Sequence, residues 1–241
     1  MHNDILKQLK KDLRVYADKD KAKILSGFFK TAPGQYGHGD IFLGVKVPQT
    51  RTIVKKYFAK LTLSQIEVLL YSKIHEERLA AVLMLVERYR ISEDVVKKEI
   101  YTFYIDNAKQ INNWDLVDAS AEHIVGSFLE KRSKSILTRL AKSDNIWERR
   151  IAMIATFHYI KKGECDESLR IATILLSDKH DLIQKAVGWM LREVGKRCGQ
   201  NYLEEYIGKY YGKISRTTLR YAIERFPEES RKYYLHGMKT I

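Results

Sequence analysis

The chain is short of the residues that break helices and staple small folds: among 241 residues there are three prolines and two cysteines. Cys165 and Cys198 form no CxxC pattern, which argues against a disulfide scaffold and suits reduced thiols. No apolar run reaches the roughly 18 residues of a membrane span. The opening MHNDILKQLKKDL alternates charge with hydrophobe and does not form a signal-peptide core. The expectation is a soluble, cytoplasmic protein with no membrane partner. The seven histidines are scattered without metal-ligand spacing, HEERL at 75–79 lacks the second histidine of a zinc-protease helix, and no Ser-His-Asp or Cys-His set is present. Neither a metal nor a cofactor is expected.

What is present is apolar mass and positive charge. Hydrophobic residues make up 45% of the chain, enough to bury a real core, and the formal net charge is +13. An excess of that size favours a polyanionic partner, nucleic acid before an anionic membrane surface.

Apolar residues recur at helical spacing between the prolines, as in Leu79, Val82, Leu83 and Val86, and sustained strand alternation is missing. Pro48 sits where a helix would begin, Ser92 is placed to cap SEDVVKKEIYTFY, and Gly163 follows a lysine pair as a helix stop should. About twelve to fourteen helices are expected. HEERLAAVLML, NNWDLVDASAE, WERRIAMIATF and DLIQKAVGWML recur roughly every 35 residues, each preceded by another helix. This pattern predicts an all-α fold, an α-solenoid of HEAT-like helical hairpin repeats running over 1–241 as a single domain, with a concave basic face lined by the second helix of each pair. The longest irregular stretch, TAPGQYGHGDIFLGVKV at 31–47, reads as a structured loop, with backbone contact to phosphates as the lesser alternative.

Three helices carry side chains that a plain core does not need. In INNWDLVDAS, a helical wheel puts Val117, Ala121, Ile124 and Phe128 on the apolar stripe, Trp114 on its near side and Asp118 on its shoulder, while Asp115 points to water. A carboxylate beside apolar neighbours must be paired, so Asp118 is either a repeat-linking partner of an arginine or a functional acid. In DLIQKAVGWMLREVGKR, Trp189 lies off the stripe on a face shared with Lys185, Arg192 and Lys196. Exposed aromatics interleaved with cations suit a nucleic-acid surface. Arg150 falls within the apolar face of IWERRIAMIATFHYI and needs an anion, either Asp118 or a phosphate.

Across FLGVKVPQTR (42–51), NNWDLVD (112–118), NIWERR (145–150) and IQKAVGWMLRE (183–193) the chain resembles the AlkD family of DNA alkylation-repair glycosylases, from about residue 20 to 225. The resemblance implies a HEAT-like repeat protein holding double-stranded DNA in its concave face and removing cationic alkylated purines, chiefly N7-alkylguanine and N3-alkyladenine. It also implies that Trp114 and Trp189 flank the lesion, that Asp118 is the catalytic carboxylate and that Arg150 contacts the DNA backbone. Pro48, Arg51, Lys185, Arg192 and Lys196 complete the expected DNA-binding set, on a monomer associated with the nucleoid. Nothing in the sequence suggests a closed base pocket, and the family is understood to read the lesion from the backbone side. Two other functions fit the same residues: a non-catalytic DNA-structure-binding repeat protein, and a scaffold for an acidic protein.

Overall fold

The computed structural model describes residues 2–237. Among them are fifteen α-helical segments, two 3₁₀ turns and one π turn, with no β-strand and one isolated parallel bridge between Ile41 and Ile74. The all-α, helical-repeat class expected from the sequence is the one observed. No helix of the described residues is long and apolar enough to cross a membrane. The chain divides into two compact units, Met1–Ile124 and Val125–Ile241.

The first unit contains α1 (His2–Val15), α2 (Lys19–Phe28), α3 (Val47–Tyr57), α4 (Leu63–Leu70), α5 (His75–Ile91), α6 (Asp94–Asp106) and α7 (Trp114–Asp118). Its centre is α5, in which Leu79 to Leu85 are buried without interruption. A helix apolar on every side must be surrounded, and α1, α3, α4, α6 and α7 all pack against it. Pro48 opens α3, where its missing N–H costs nothing. Ser92 does not cap α6. It ends α5 instead, its Oγ donating to the Arg88 carbonyl at 2.7 Å, and α6 starts at Asp94.

The second unit holds α8 (Ser135–Ala141), α9 (Ile146–Ala155), α10 (Phe157–Ile160), α11 (Asp166–Ile174), α12 (Asp181–Arg197), α13 (Gln200–Tyr210), α14 (Arg216–Ala222) and α15 (Glu228–Leu235). Here α8 packs on α9, α11 on α12, and α12 on both α9 and α14. Side-chain hydrogen bonds between successive repeats join residues 32 to 34 apart: Arg150 Nη1 to the Leu182 carbonyl, Arg170 Nη1 to Thr138 Oγ1, and Thr218 Oγ1 to the Gln184 carbonyl. Gly163, at φ +81°, stops α10 as expected.

The α-helix count exceeds twelve to fourteen by one because the run 146–160 is broken at a hydroxyl, and a second run is loosened in the same way. Thr156, between α9 and α10, donates to the Met153 carbonyl at 2.7 Å, and its Oγ1 lies 3.0 Å from the Ser168 hydroxyl, from which it can accept. After α7, Ser120 Oγ donates back to the Leu116 carbonyl at 2.6 Å and meets the Tyr104 hydroxyl at 2.8 Å. The helix resumes with a π turn at Glu122–Gly126. Back-bonding hydroxyls of this kind compete with the i−4 ladder and loosen it.

Candidate functional site

In the first unit, Asn113 sets the start of α7. It is fully buried, and its Oδ1 accepts from the Trp114 N–H at 2.8 Å. Its Nδ2 donates to Asp40 at 3.3 Å. Trp114 is half-buried, one face stacked on Phe29 at 5.1 Å and 11° with the edge of Phe28 at 5.8 Å. One turn on, Asp118 is also half-buried, at the last residue of α7 where the helical carbonyls end. That terminus is the electronegative one, so nothing in the helix itself favours a carboxylate there. The charge of Asp118 reaches the buried Tyr104 phenol, whose pKa is raised first by burial and further by this neighbour. The expected stripe of Val117, Ala121, Ile124 and Phe128 is buried.

Asp115 does not point to water. Its Oδ2 is 2.8 Å from His75 Nε2, and His75, 2% exposed, also faces Asp40 at 3.4 Å. Asp40 is held in turn by Arg78 at 2.6 Å. Burial works against a charged His75, but the charge and hydrogen bond of Asp115, with Asp40 behind, hold its pKa above the usual histidine value. The wheel missed this because the partners come from α5 and the 31–46 loop, not from the helix itself. Phe42 completes the cluster, stacked on His75 at 4.6 Å and on Phe29 at 5.0 Å.

The same loop corrects the phosphate alternative. The N–H groups of Leu43, Gly44 and Val45 all donate to the buried Glu76 carboxylate, at 2.8 to 3.2 Å, so these amides already hold an anion. Between this loop, α2 and α5 lies a half-open cavity of about 350 Å³, lined by Ile24, Leu25, Phe29, Phe42, Val45 and Pro48. Its wall is almost entirely carbon, and no sequence signal pointed to it. Pro48 and Arg51 are both exposed, on the first and second turns of α3.

In the second unit, Arg150 is 5% exposed and its Nη1 donates to the Leu182 carbonyl at 2.6 Å, at the start of α12. One donor of the guanidinium therefore ties α9 to α12. Lys185, Trp189, Arg192 and Lys196 follow along α12, with Lys185 paired to Asp181 at 2.7 Å and Arg192 held by Glu224 and Glu193. Lys196 is exposed. Trp189 is half-buried, and Gly188 before it lets α14 approach: a Cβ there would lie 2.5 Å from the Tyr221 Cβ and 2.6 Å from the Thr218 carbonyl. The Trp189 ring meets Phe157 at 5.8 Å, and Phe157 carries Lys161 at 4.5 Å and Arg197 at 5.5 Å from its centroid. These three residues were not singled out in the sequence, although Phe157 and Lys161 at i, i+4 are a legible helical pair.

The first unit thus brings Trp114 and Asp118 onto one helix, and the second brings Arg150 beside the helix that carries Trp189 and its cations. A family model described as DNA alkylation repair enzyme matches residues 9–226. The chain belongs to the DNA alkylation repair enzyme family. Two solved structures share the fold of this family member. A predicted DNA alkylation repair enzyme from Enterococcus faecalis aligns at a TM-score of 0.68 and 20% identity, covering 88% of this chain and 97% of that one. AlkD2 from Streptococcus mutans aligns at 0.58 and 18% identity, covering 95% and 100%. No curated protein matches the chain.

Proposed function

We propose that the protein is a DNA glycosylase that hydrolyses the N-glycosidic bond of cationic N7- and N3-alkylated purines in duplex DNA, acting as a monomer. The observation that carries this beyond family membership is Asp118, a partly exposed carboxylate one turn after a tryptophan whose other face is pinned by Phe29. An alkylated purine already bears positive charge, so it departs as a neutral base without a general acid, and a single carboxylate suffices. As the bond to C1′ breaks, positive charge grows on the deoxyribose. Asp118 stabilises that charge and orients the water whose oxygen bonds to C1′. Trp114 and Trp189 contact the damaged nucleotide through ring faces, each worth about 0.5 to 2 kcal/mol toward a cation depending on desolvation. Pro48, Arg51, Lys185, Arg192 and Lys196 meet the backbone, and Arg150 sets α12 from within. The deciding experiment is single-turnover release of N7-methylguanine from methylated duplex DNA. Release by the wild type that collapses in Asp118→Asn supports the assignment, and duplex binding with no release would leave a DNA-binding repeat protein.

A further inference from the structure

In the second unit, α11 and α13 both pack on α12 and leave a furrow between them. Tyr202, Tyr206 and Tyr210 recur every fourth residue on one face of α13, a row about 12 Å long. Tyr206 is 5% exposed, its ring 4.8 Å from that of Tyr210 and its hydroxyl 3.3 Å from that of Thr173 on α11. Tyr202 is 42% exposed. With Leu169 and Ile174 these rings bound a cavity of about 560 Å³. Past Thr173 and Tyr210 the furrow continues into a second cavity of about 510 Å³, lined by Lys179, Gln184, Lys213 and Ser215. None of Lys185, Trp189, Arg192 and Lys196 lines either cavity.

Lysines gather at the Tyr210 end. Lys209 lies over the Tyr210 ring at 5.3 Å from its centroid. Lys179, Lys209 and Lys213 are exposed, and no carboxylate of the described residues pairs with any of them. The Tyr210 phenol feels this charge: the Thr173 hydroxyl first, and then Lys209 and Lys213, hold its pKa below the usual value. Two carboxylates line the furrow. Asp178 is already held by Arg149 at 2.6 Å, and Glu205 stands at the other end, beside Tyr202.

Exposed lysines alone say little about a partner, but three unpaired ones beside an apolar recess narrow the choice. A nucleic-acid strand held by stacking needs open ring faces. Tyr206 offers none, being buried, and Lys209 covers Tyr210. A second copy carries the same net charge of +13, which opposes its docking here. An acidic polypeptide matches both halves of the furrow, with an apolar anchor for the recess and carboxylates for the lysines.

We propose that this furrow is a docking site for an acidic segment of a partner protein. The segment seats one bulky apolar side chain beside Tyr202 and Tyr206 and lays its carboxylates on Lys179, Lys209 and Lys213. The site is independent of the glycosylase reading, and its occupant leaves the cations of α12 free for DNA.

The test uses the full chain and a fluorescein-labelled peptide of glutamates around one central benzoylphenylalanine, which is both apolar anchor and photo-cross-linker. Wild-type protein should bind it by anisotropy and cross-link on α11 or α13. Lys179→Gln combined with Lys213→Gln should weaken binding on the order of tenfold. Melting temperature, duplex affinity and base release should not change in that variant, and Lys196→Gln should leave peptide affinity as it is. Glycine in place of the central residue of the peptide should also weaken binding. Failure of the wild type to bind, affinity that survives the paired substitution, or cross-links confined to α12 would overturn the site. Displacement of the peptide by intact duplex would overturn it as well, by showing that both compete for the DNA surface. Base release from methylated DNA reports on the glycosylase whichever result is obtained.

Discussion

His75 and Asp115 are 40 residues apart in sequence and joined at 2.8 Å between Nε2 and Oδ2. The pair fastens the start of α7, and with it Trp114, to the start of α5.

This pair makes a pH-dependent contribution to stability. Because the folded state holds the His75 pKa above its ordinary 6.5, the stabilisation is fully present below about that pH and is lost as pH rises through the folded value. On the helical wheel alone Asp115→Asn would be neutral. In the structure it should cost about 2 kcal/mol at pH 6, less than a fully buried pair because Asp115 is partly exposed. Melting curves of wild type and variant from pH 5.5 to 9 should converge toward the alkaline end; parallel curves would show that His75 is not charged.

Asp118→Asn should cut N7-methylguanine release on the order of 10²-fold or more while duplex affinity is kept. If the carboxylate only links repeats, the variant should instead melt lower and lose activity only in step with its folded fraction. Melting and single-turnover release on the same preparation separate the two.

Exposed Lys196 should act on binding alone. Lys196→Gln should flatten the log–log dependence of duplex affinity on salt by about 0.9 and leave melting unchanged. Arg192→Gln should flatten it similarly but also lower the melting temperature, since it leaves Glu224 without its cation and Glu193 with Arg197 alone. A salt slope unaffected by either substitution would remove α12 from the DNA contact surface.

A continuous repeat array predicts that neither half folds alone, because each helical pair buries its apolar face on its neighbour. A fragment ending at residue 124 would be cut inside the π turn, and it should show reduced helicity and no cooperative melt by circular dichroism. Two independently cooperative halves would establish two domains.

Burial pushes the Cys198 thiol up to about 12, with the Cys165 thiol beside it adding to the shift, and Cys165 is itself raised, mainly by burial. Both thiols should react slowly with a disulfide reagent at pH 8 and quickly after unfolding. Rapid labelling of the native protein would contradict this placement.

Periodicity alone determined the helical repeats: apolar residues at 3.6-residue spacing, renewed about every 35 positions, can be buried only by stacking helical pairs. The apolar stripes of α7 and α12 were legible for the same reason, as were Pro48 at the start of α3 and Gly163 at the end of α10. Trp114, Asp118 and Trp189 stood out because each departs from its stripe. Tertiary structure decided whatever depends on a partner from another element. Asp115 lies on the outer side of its own wheel, yet α5 brings His75 to it. The glycine-rich loop offers its amides to Glu76, an intramolecular carboxylate that does the work a phosphate would otherwise do. Phe28 and Phe29 are identical in type and adjacent in sequence, and only the rings of Phe42, His75 and Trp114 gathered around Phe29 bury one and leave the other at the surface.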